Sequence, residues 1–322
     1  MLNKLISDNY GTQINDLKLF TKHFGTEIFI IQTTIGKFVV KTLPVNDYNA
    51  RMENEGYITE FLKENNINVP KILKSLNNMH CVSNDKIQFH VQEFIEGENY
   101  QLNTASELFL EESACIIGKI HSVFKNFKEL HVLHEFSENF FNNSSIDKVR
   151  QNFNERLEES YMQKNYSLIP LLKDRIKHLE KISTFNIDGN RLTYSNGHGD
   201  YRLGNMIINN GKITVIDWTN SCKLPICFDV IKSYVYSSPE CKNGLISIDG
   251  LKRYIENYSR YNNLSEYDIQ IMPYLYYYHQ LQCNYSPPYD NIPETYMPVC
   301  ELIINVTNWL YDNVENLSNK LR

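Results

Sequence analysis

The hydrophobic pattern of the chain changes once, near residue 96. Before this point, short runs of β-branched and aromatic residues are typical of strands, and one segment with helical spacing interrupts them. After Gly97 the pattern becomes mainly helical. The sequence therefore predicts an α+β chain with two lobes. Residues 1–96 form a small antiparallel-sheet lobe with one main helix, and residues 97–322 form a large, mainly helical lobe.

Turn residues and a proline separate the predicted elements of the first lobe. Thr33, Thr34 and Gly36 supply a turn between two strand-like runs, so we expect a hairpin there. A helix over Asp47–Asn65 follows, and it must end before Pro70, which cannot continue a helix. The expected strands of this lobe are Thr26–Gln32, Lys37–Thr42, Val69–Leu73 and Ile87–Phe94.

Short strands interrupt the helices of the second lobe, and such strands with tight loops are places where a site can be built. The expected helices are Thr104–Phe124, Ile146–Tyr161, Ile169–Ile182, Phe228–Tyr236, Ile248–Tyr261 and Ile292–Val314. The expected strands are Leu192–His198, Met206–Ile208 and Lys212–Asp217.

The composition excludes several classes of protein. A hydrophobic content of 42% over 322 residues allows a sizeable core, and a net charge of −6 without a basic stripe argues against nucleic-acid binding. The seven cysteines are odd in number and irregularly spaced, which predicts reduced thiols rather than disulfides or a zinc site. No run approaches the ~20 apolar residues of a membrane span, and the N-terminus lacks the apolar core of a signal peptide. We therefore expect a cytoplasmic protein that does not bind membranes.

Five residues occur in an order that suits phosphoryl transfer from a nucleotide. Asp200 and Asn205 lie five residues apart in HGDYRLGN, and Asp217 ends a later strand-like run. Asp200 can act as the base, and the other two side chains are hard oxygen ligands suited to Mg²⁺. Upstream, Lys41 on a strand can reach the phosphates, and Glu55 on the helix can fix its ammonium. This order matches the arrangement in kinases.

These residues and their surroundings resemble the aminoglycoside phosphotransferase and choline kinase-like family of small-molecule kinases. The resemblance rests on HGDYRLGN (198–205), VIDW (215–218), FVVK (38–41) and EGYITEFLKENNINVPKIL (55–73), with weaker matches in VQEFIEGE (91–98), IGKIH (117–121) and PICFDVIKSY (225–234). The family implies a bilobal protein-kinase-like fold, ATP or GTP with Mg²⁺, and a hydroxyl acceptor on a small molecule.

The resemblance also implies particular roles for individual residues. It selects Glu55 over Glu53 as the partner of Lys41, and it gives His198 and Asp229 structural roles. It implies that Glu93 and Ile95, in the segment that resembles the hinge, contact the nucleotide. Gly25 and Thr26 would offer backbone N–H groups to the phosphates, although this loop has a single glycine and no GxGxxG.

The sequence lacks motifs of other kinase classes, which restricts the class of molecule that can accept the phosphoryl group. No GxxxxGK[ST] is present, and Trp218 and Thr219 stand where a protein kinase has the Phe and Gly of DFG. Pro225 follows so soon that little room remains for an activation segment. These features favour a small-molecule acceptor over a peptide.

The identity of the acceptor stays open among three alternatives. The preferred acceptor is an aminated sugar or an aminoglycoside-like alcohol, so the partner would be cationic. The second alternative is a kinase of a small metabolite such as choline, homoserine or methylthioribose. The third is a kinase-like structural protein of the spore-coat type. Residues that could line an acceptor pocket are Tyr274, Tyr276, Tyr277, Tyr278, Asp290, Glu294, Glu301 and Trp309.

Overall fold

The computed structural model describes residues 2–23, 25–45, 49–137, 143–282 and 292–322. The helices are α1 (Leu2–Tyr10), α2 (Asn49–Glu64), α3 (Glu107–Phe124), α4 (Asn143–Met162), α5 (Leu168–Ile182), α6 (Ile226–Ser237), α7 (Ile248–Ser259), α8 (Glu266–Gln282) and α9 (Met297–Leu321). The strands are β1 (Ile14–His23), β2 (Thr26–Thr33), β3 (Gly36–Pro44), β4 (Val82–Ser83), β5 (Ile87–Glu93), β6 (Glu98–Asn99), β7 (Tyr194–Gly197), β8 (Met206–Asn209), β9 (Lys212–Val215) and β10 (Cys222–Pro225).

The chain divides into two compact units. The first contains Met1–Tyr100 and Gly204–Ser221, and the second contains Gln101–Leu203 and Cys222–Arg322. The sequence predicts one division, at residue 96, so the return of the chain to the first unit at Gly204 was not expected. The assignment of 1–96 to nucleotide binding and of 97–322 to catalysis and acceptor binding stays a prediction.

An antiparallel sheet in the order β1-β2-β3-β5-β4 forms the body of the first unit. One of its faces is apolar, and Ile31, Val40, Phe89 and Val91 are buried there against α1 residues that include Ile6. Because side chains alternate across a strand, the residues next to Val40 in β3 point to the opposite face. This alternation decides where Lys41 lies.

The predicted hairpin between β2 and β3 is present, with Thr33 paired to Gly36. The hydroxyl of Thr33 accepts the N–H of Ile35 at 3.2 Å and donates to the carbonyl of Gly36 at 2.9 Å. Gly36 has a φ of +143°, a value that side chains disfavour, so a glycine suits the turn. The strands on either side agree with the sequence prediction to within a few residues.

The strand predicted over Val69–Leu73 is wrong. This segment is irregular and contacts β5 through one isolated bridge, Ile72 to Gln92, with the N–H of Leu73 donating to the carbonyl of Val91 at 2.8 Å. Pro70 explains the difference, because it has no N–H for a ladder and restricts the residue before it.

A smaller antiparallel sheet, β6-β8-β9, also belongs to the first unit. Gly97 precedes it with a φ of +148°, and a Cβ there would lie 2.4 Å from the carbonyl oxygen of Ile208. Only glycine allows this close approach of two backbones. The β8-β9 hairpin leads directly into Asp217, so this sheet positions a predicted site residue.

The second unit is mainly helical, as predicted, and carries the two-stranded sheet β10-β7. The first helix begins at Glu107 rather than Thr104, because Ser106 caps it by accepting the N–H of Phe109 at 3.2 Å. The predicted helix over Ile292–Val314 instead spans Met297–Leu321, since Pro298 occupies its first turn, where proline fits well.

Of the helices and strands described, six were not predicted: α1, β1, β4, β6, β10 and α8. Helix α8 contains Tyr276, Tyr277 and Tyr278, each at most 1% exposed. Most of the residues from Ile271 to Leu281 are buried, so this part of the helix has no continuous polar face and its sequence shows little helical periodicity. None of the helices in the described ranges has the length and apolar composition needed to cross a lipid bilayer.

Candidate active site

Lys41 lies on β3 and points to the sheet face opposite the apolar core. In the register of the sheet it stands between Ile28 of β2 and His90 of β5. Its side chain is 8% exposed, and its ammonium lies 3.2 Å from a carboxylate oxygen of Glu55 on α2. The ion pair expected between a strand lysine and this helix glutamate is therefore present.

The carboxylate of Glu55 is contacted by four groups, although it is only 1% exposed. One oxygen, Oε1, accepts the backbone N–H of Trp218 at 2.9 Å. The other oxygen, Oε2, accepts the ammonium of Lys41 at 3.2 Å and the hydroxyl of Thr219 at 2.9 Å, and it lies 3.2 Å from Nε2 of His90. A buried charge requires such compensation, so these contacts explain how a carboxylate is held inside the first unit.

The pKa values of this pair are shifted in the directions that favour both charges. Burial opposes the charge of Lys41, but the carboxylates of Asp217 and Glu55 outweigh it and raise its pKa. Burial likewise opposes ionisation of Glu55, but the charge of Lys41 and the hydrogen bonds from His90 and Thr219 lower its pKa overall. The ion pair is therefore fully charged at neutral pH.

Asp217 follows β9 in the left-handed conformation, with a φ of 64°. Its Oδ1 lies 2.5 Å from the ammonium of Lys41 and accepts the hydroxyl of Thr219 at 3.1 Å. Thr219 also contacts the Lys41 ammonium directly. We call Lys41, Glu55, Asp217 and Thr219 the Lys41 cluster. With one ammonium and two carboxylates, its net charge is −1.

Asn205 and Asp217 form the oxygen pair proposed for Mg²⁺, and both belong to the first unit. The carbonyl of Asn205 accepts the N–H of Ile216 at 2.9 Å, which ties the turn before β8 to the residue that precedes Asp217. No group of three or more His, Cys, Asp or Glu side chains suited to a metal occurs within the described ranges. Mg²⁺ commonly takes one or two protein oxygens and completes its shell with phosphates and water. The pair therefore fits Mg²⁺ bound together with a nucleotide.

Asp200 lies in the second unit, in the loop after β7, and two cations hold its carboxylate. Oδ1 lies 2.8 Å from the ammonium of Lys232 on α6, and Oδ2 accepts Nε–H of Arg202 at 3.0 Å. Burial raises the pKa of Asp200, but Lys232 and then Arg202 lower it by more, so the pKa lies well below the usual range. We call these three residues the Asp200 cluster, and its net charge is +1.

Asp229, at the start of α6, fixes the loop that carries Asp200. Its Oδ2 accepts the N–H groups of His198 at 2.9 Å and Gly199 at 3.4 Å, and it lies 3.3 Å from Nε2 of His121. Asp229 is fully buried, and a Cβ on Gly197 would stand 2.6 Å from the same oxygen. The contacts match the structural roles expected of Asp229 and His198.

The remaining predicted contact residues have no contact to the Lys41 cluster among the interactions described. Gly25 has a φ of +83° and begins the turn into β2, where Thr26 pairs with His23. The carboxylate of Glu93 accepts the ammonium of Lys63 at 2.9 Å, and Ile95 is half-buried just after β5. Their roles in nucleotide binding stay predictions.

The glutamates that rival Glu55 on α2 have other partners. Glu53 accepts the backbone N–H of Cys81 at 2.7 Å and of His80 at 3.4 Å. Glu60 is exposed and pairs with Lys74 at 2.8 Å. Neither contacts Lys41 in these interactions, so the choice of Glu55 as its partner is confirmed.

Four residues that contact the predicted ones were not predicted from the sequence: His90, Thr219, Arg202 and Lys232. A signal for some of them was present. His90 alternates with buried apolar residues of β5, which places it on the opposite face, and Thr219 and Arg202 each lie two residues after a site aspartate. Lys232 lies three residues after Asp229 and so shares a face of α6 with it.

The residues proposed to line an acceptor pocket fall into three groups. Asp290 lies outside the described residues. Tyr276, Tyr277 and Tyr278 are buried in α8 and contribute to packing of the second unit. The others that could meet a ligand are at least partly exposed: Tyr274, Glu294, Glu301 and Trp309.

Solved structures with the same fold are kinases and phosphotransferases. An amicoumacin kinase in complex with AMP-PNP, Ca²⁺ and Ami matches with a TM-score of 0.66 at 12% identity, over 98% of this chain and 92% of the other. A microcompartment-associated aminopropanol kinase matches with a TM-score of 0.61 at 13% identity, over 100% and 99%. An aminoglycoside phosphotransferase from Alicyclobacillus acidocaldarius also matches with a TM-score of 0.61, at 10% identity, over 100% and 96%. These matches show the fold: the chain has the bilobal protein-kinase-like architecture that its sequence predicts.

The fold, taken together with the sequence family, defines a small-molecule kinase. Residues 16–264 match the sequence profile of the phosphotransferase enzyme family, and the chain belongs to that family. None of the curated proteins compared matches the sequence. The predicted family and enzyme class are thus confirmed.

Proposed function

We propose that this enzyme transfers the γ-phosphoryl group of ATP, or of GTP, to a hydroxyl of a small molecule in an Mg²⁺-dependent reaction. The observation that carries the proposal is the Lys41 cluster, in which a buried ammonium is fixed between a helix carboxylate and a carboxylate at a strand end. Phosphoryl transfer is catalysed mainly by positioning and electrostatic stabilisation, and a fixed cation serves both. Nucleotide use is further supported by the AMP-PNP in the complex of the amicoumacin kinase.

Within the first unit, each member of the cluster has a proposed role. Lys41 binds the phosphates that precede the transferred group, and Glu55 holds its ammonium in position. Asn205 and Asp217 hold Mg²⁺, which when bound supplies positive charge to the phosphate oxygens. Gly25 and Thr26 offer backbone N–H groups to the phosphates, and Glu93 and Ile95 contact the nucleotide base from the segment between the lobes.

In the second unit, Asp200 receives the acceptor. Its carboxylate accepts a hydrogen bond from the reacting hydroxyl and takes its proton as the new bond to phosphorus forms. The pKa of Asp200 lies below its usual range. The carboxylate is therefore ionised across the physiological pH range and can accept a hydrogen bond from the acceptor hydroxyl.

The proposed acceptor is an aminated sugar or an aminoglycoside-like alcohol. It is supported by the structural match to an aminoglycoside phosphotransferase and by the acidic residues of the second unit, which include Glu294 and Glu301. A kinase of a small metabolite is the second candidate, and the match to an aminopropanol kinase favours it, because aminopropanol is itself a small amino alcohol. The chain retains Lys41, Asn205, Asp217 and Asp200, which argues against a purely structural role of the spore-coat type. A cytoplasmic location also stays a prediction.

The deciding experiment is an ADP-production screen over aminoglycosides, aminopropanol, choline, homoserine, methylthioribose and simple sugars. The matched control is Asp200→Asn, which keeps the shape of the side chain but removes the base. We expect this variant to bind nucleotide normally and to lose ~10²-fold or more of the turnover. Turnover that survives the substitution would refute the assignment of Asp200.

The screen also separates the candidates from one another. Turnover on an aminoglycoside alone supports the first acceptor class, and turnover on aminopropanol or choline alone supports the second. Nucleotide binding without turnover on any compound would leave the structural role as the better interpretation.

A further inference from the structure

The carboxylate of Asp200 is engaged on both oxygens by cations from two different segments. Lys232 approaches Oδ1 from α6, and Arg202 approaches Oδ2 from the loop of Asp200 itself. The side chains are 19% exposed for Asp200, 13% for Lys232 and 23% for Arg202, so water screens these pairs only in part. Arg202 moves with the loop, whereas Lys232 ties the carboxylate to a helix.

The position of Lys232 is itself fixed. Its ammonium also donates to the carbonyl of Gly199 at 3.3 Å. The rings of Phe228 and Tyr236, one turn before and after it on α6, have their centroids 5.7 Å and 5.8 Å from the ammonium. Because Asp229 on the same helix accepts backbone N–H groups of this loop, α6 and the loop are joined at two points.

We propose that Lys232 is a positioning residue for the transfer reaction: it fixes the orientation and charge of the Asp200 carboxylate toward the acceptor hydroxyl. This inference rests on the proposed function. In the reaction, the acceptor oxygen bonds to the γ-phosphorus, the bond from that phosphorus to the bridging oxygen of the nucleoside diphosphate breaks, and the hydroxyl proton passes to Asp200.

Lys232 influences the proton transfer by lowering the basicity of the Asp200 carboxylate and by fixing its orientation. A carboxylate held by two cations is a weak base, so it orients the hydroxyl and takes the proton only as the oxygen becomes acidic through bond formation. Lys232 is the stronger of the two charges that lower the pKa of Asp200. Without Lys232, the carboxylate of Asp200 keeps its ion pair with Arg202 but loses its contact with α6, and its pKa rises.

The other titratable and charged groups near Asp200 do not set the pKa and orientation of its carboxylate as Lys232 does. Burial and the charge of Lys232 lower the pKa of His279 to about 3, so it stays neutral there. The N–H of Asp200 donates to Nδ1 of His198, which makes that nitrogen an acceptor. Within the described residues, these neighbours include His198, Asp229, Tyr236, His279 and Tyr296.

The test compares Lys232→Met and Lys232→Arg with a control, Lys223→Met. Lys223 belongs to the same unit and pairs with the exposed Glu129 at 2.8 Å, so its loss measures the effect of removing a surface ion pair. The pKa of Asp200 is followed by carboxyl ¹³C NMR, and kcat and KM are followed against pH with the acceptor from the screen or with water as the acceptor in ATP hydrolysis.

We expect the pKa of Asp200 to rise by about 1–2 units in Lys232→Met, because an opposite charge at this distance shifts a carboxyl by about that amount. Asp200 stays ionised at neutral pH, so the expected fall in kcat there, roughly 10–100-fold while the nucleotide KM stays within about twofold, reports the lost orientation of the carboxylate. Lys232→Arg keeps the charge and restores most of the activity. Lys223→Met resembles the wild type.

Two results would overturn the inference. The first is an unchanged pKa of Asp200 in Lys232→Met, which decides the matter without any activity assay. The second is a loss of kcat in Lys232→Met that Lys232→Arg does not restore or that comes with an equal loss of nucleotide affinity, since a merely structural role predicts this pattern. If Lys232→Met fails to fold, Lys232→Gln replaces it in both measurements. A wild-type enzyme that produces no ADP under any condition would instead refute the proposed function.

Discussion

Replacing Glu55 by Gln removes the charge from a buried carboxylate while keeping nearly the same volume. In the wild type, this group accepts hydrogen bonds from Lys41, Thr219 and the N–H of Trp218, and it lies 3.2 Å from His90. The glutamine amide brings an NH₂ group where two donors now converge on Oε2. The single amide carbonyl can accept only some of these hydrogen bonds. The substitution therefore weakens the ion pair with Lys41 and also brings an NH₂ group against another donor.

The size of the effect follows from the burial of the pair. Breaking a buried ion pair by removing one partner costs about 3–5 kcal/mol. Lys41 keeps a second carboxylate, Asp217, at 2.5 Å, so its ammonium is not left alone. We therefore expect the lower end of this range, about 3 kcal/mol of unfolding free energy. Because the urea slope of a 322-residue chain is about 3 kcal/mol/M or more, the urea midpoint should fall by about 1 M or less.

The pH dependence has a definite sign. The pKa of Glu55 is lower in the folded chain than in the unfolded chain. The unfolded chain therefore binds the proton first as pH falls, and the stability that Glu55 provides is present above its unfolded pKa of about 4.3. The advantage of the wild type over Glu55→Gln should be constant from pH 8 to about 5 and should decline below that range.

The assay uses Trp218, which is buried in the first unit, as a fluorescent reporter of urea unfolding. A Trp309→Phe background leaves it as the sole tryptophan, because the chain has two. The control is Glu60→Gln on the same helix, whose exposed pair with Lys74 is worth at most ~1 kcal/mol. If Glu55→Gln loses no more stability than Glu60→Gln at pH 7, the argument from burial is wrong.

Three further predictions concern neighbouring positions. Asp217→Ala should abolish the Mg²⁺-dependent part of nucleotide affinity in titration calorimetry, and an affinity that still rises with Mg²⁺ would contradict its role. Thr219→Val, which removes a hydroxyl from the Lys41 cluster, should cost about 1–2 kcal/mol in thermal unfolding and raise the nucleotide KM, whereas Thr219→Ser should restore both. Gly197→Ala should destabilise the second unit by about 1–3 kcal/mol, because its Cβ would lie 2.6 Å from Asp229 Oδ2; unchanged thermal unfolding would show that the loop relaxes freely.

The sequence predicts those parts of the fold that have a local signature. The hairpin at Gly36 has its turn residues, and α2 has apolar residues at helical spacing, so both were predicted close to their observed bounds. Strand β1 was missed because its apolar residues do not alternate cleanly: Leu19 and Phe20 are adjacent and 48% and 69% exposed. Helix α8 was missed because most of its residues are buried, which leaves no continuous polar face, and because it contains a proline.

In the candidate active site, too, only the residues that belong to a local sequence motif were predicted. Motifs mark Asp200 and Asp217 because their chemistry requires them in a fixed local order. The contacts of Glu55 with Trp218 and Thr219 join residues more than 160 positions apart, as the hydrogen bonds have sequence separations of 163 and 164. Lys232 lies 32 positions from Asp200, on a helix whose rotation is set by packing. Such partners are decided by tertiary structure and have no signature in the local sequence.

In the nucleotide-binding role proposed for the Lys41 cluster, its net charge of −1 has a consequence for which cellular anions can bind there. A lone phosphate ion, or a nucleotide without its metal, meets two carboxylates for one ammonium, and close charges of like sign repel strongly where water is partly excluded. A nucleotide that arrives with Mg²⁺ brings the positive charge that the cluster lacks. The cluster would thus discriminate among the abundant phosphate-containing solutes of a cell before any base or acceptor is recognised, and it would limit inhibition by free phosphate.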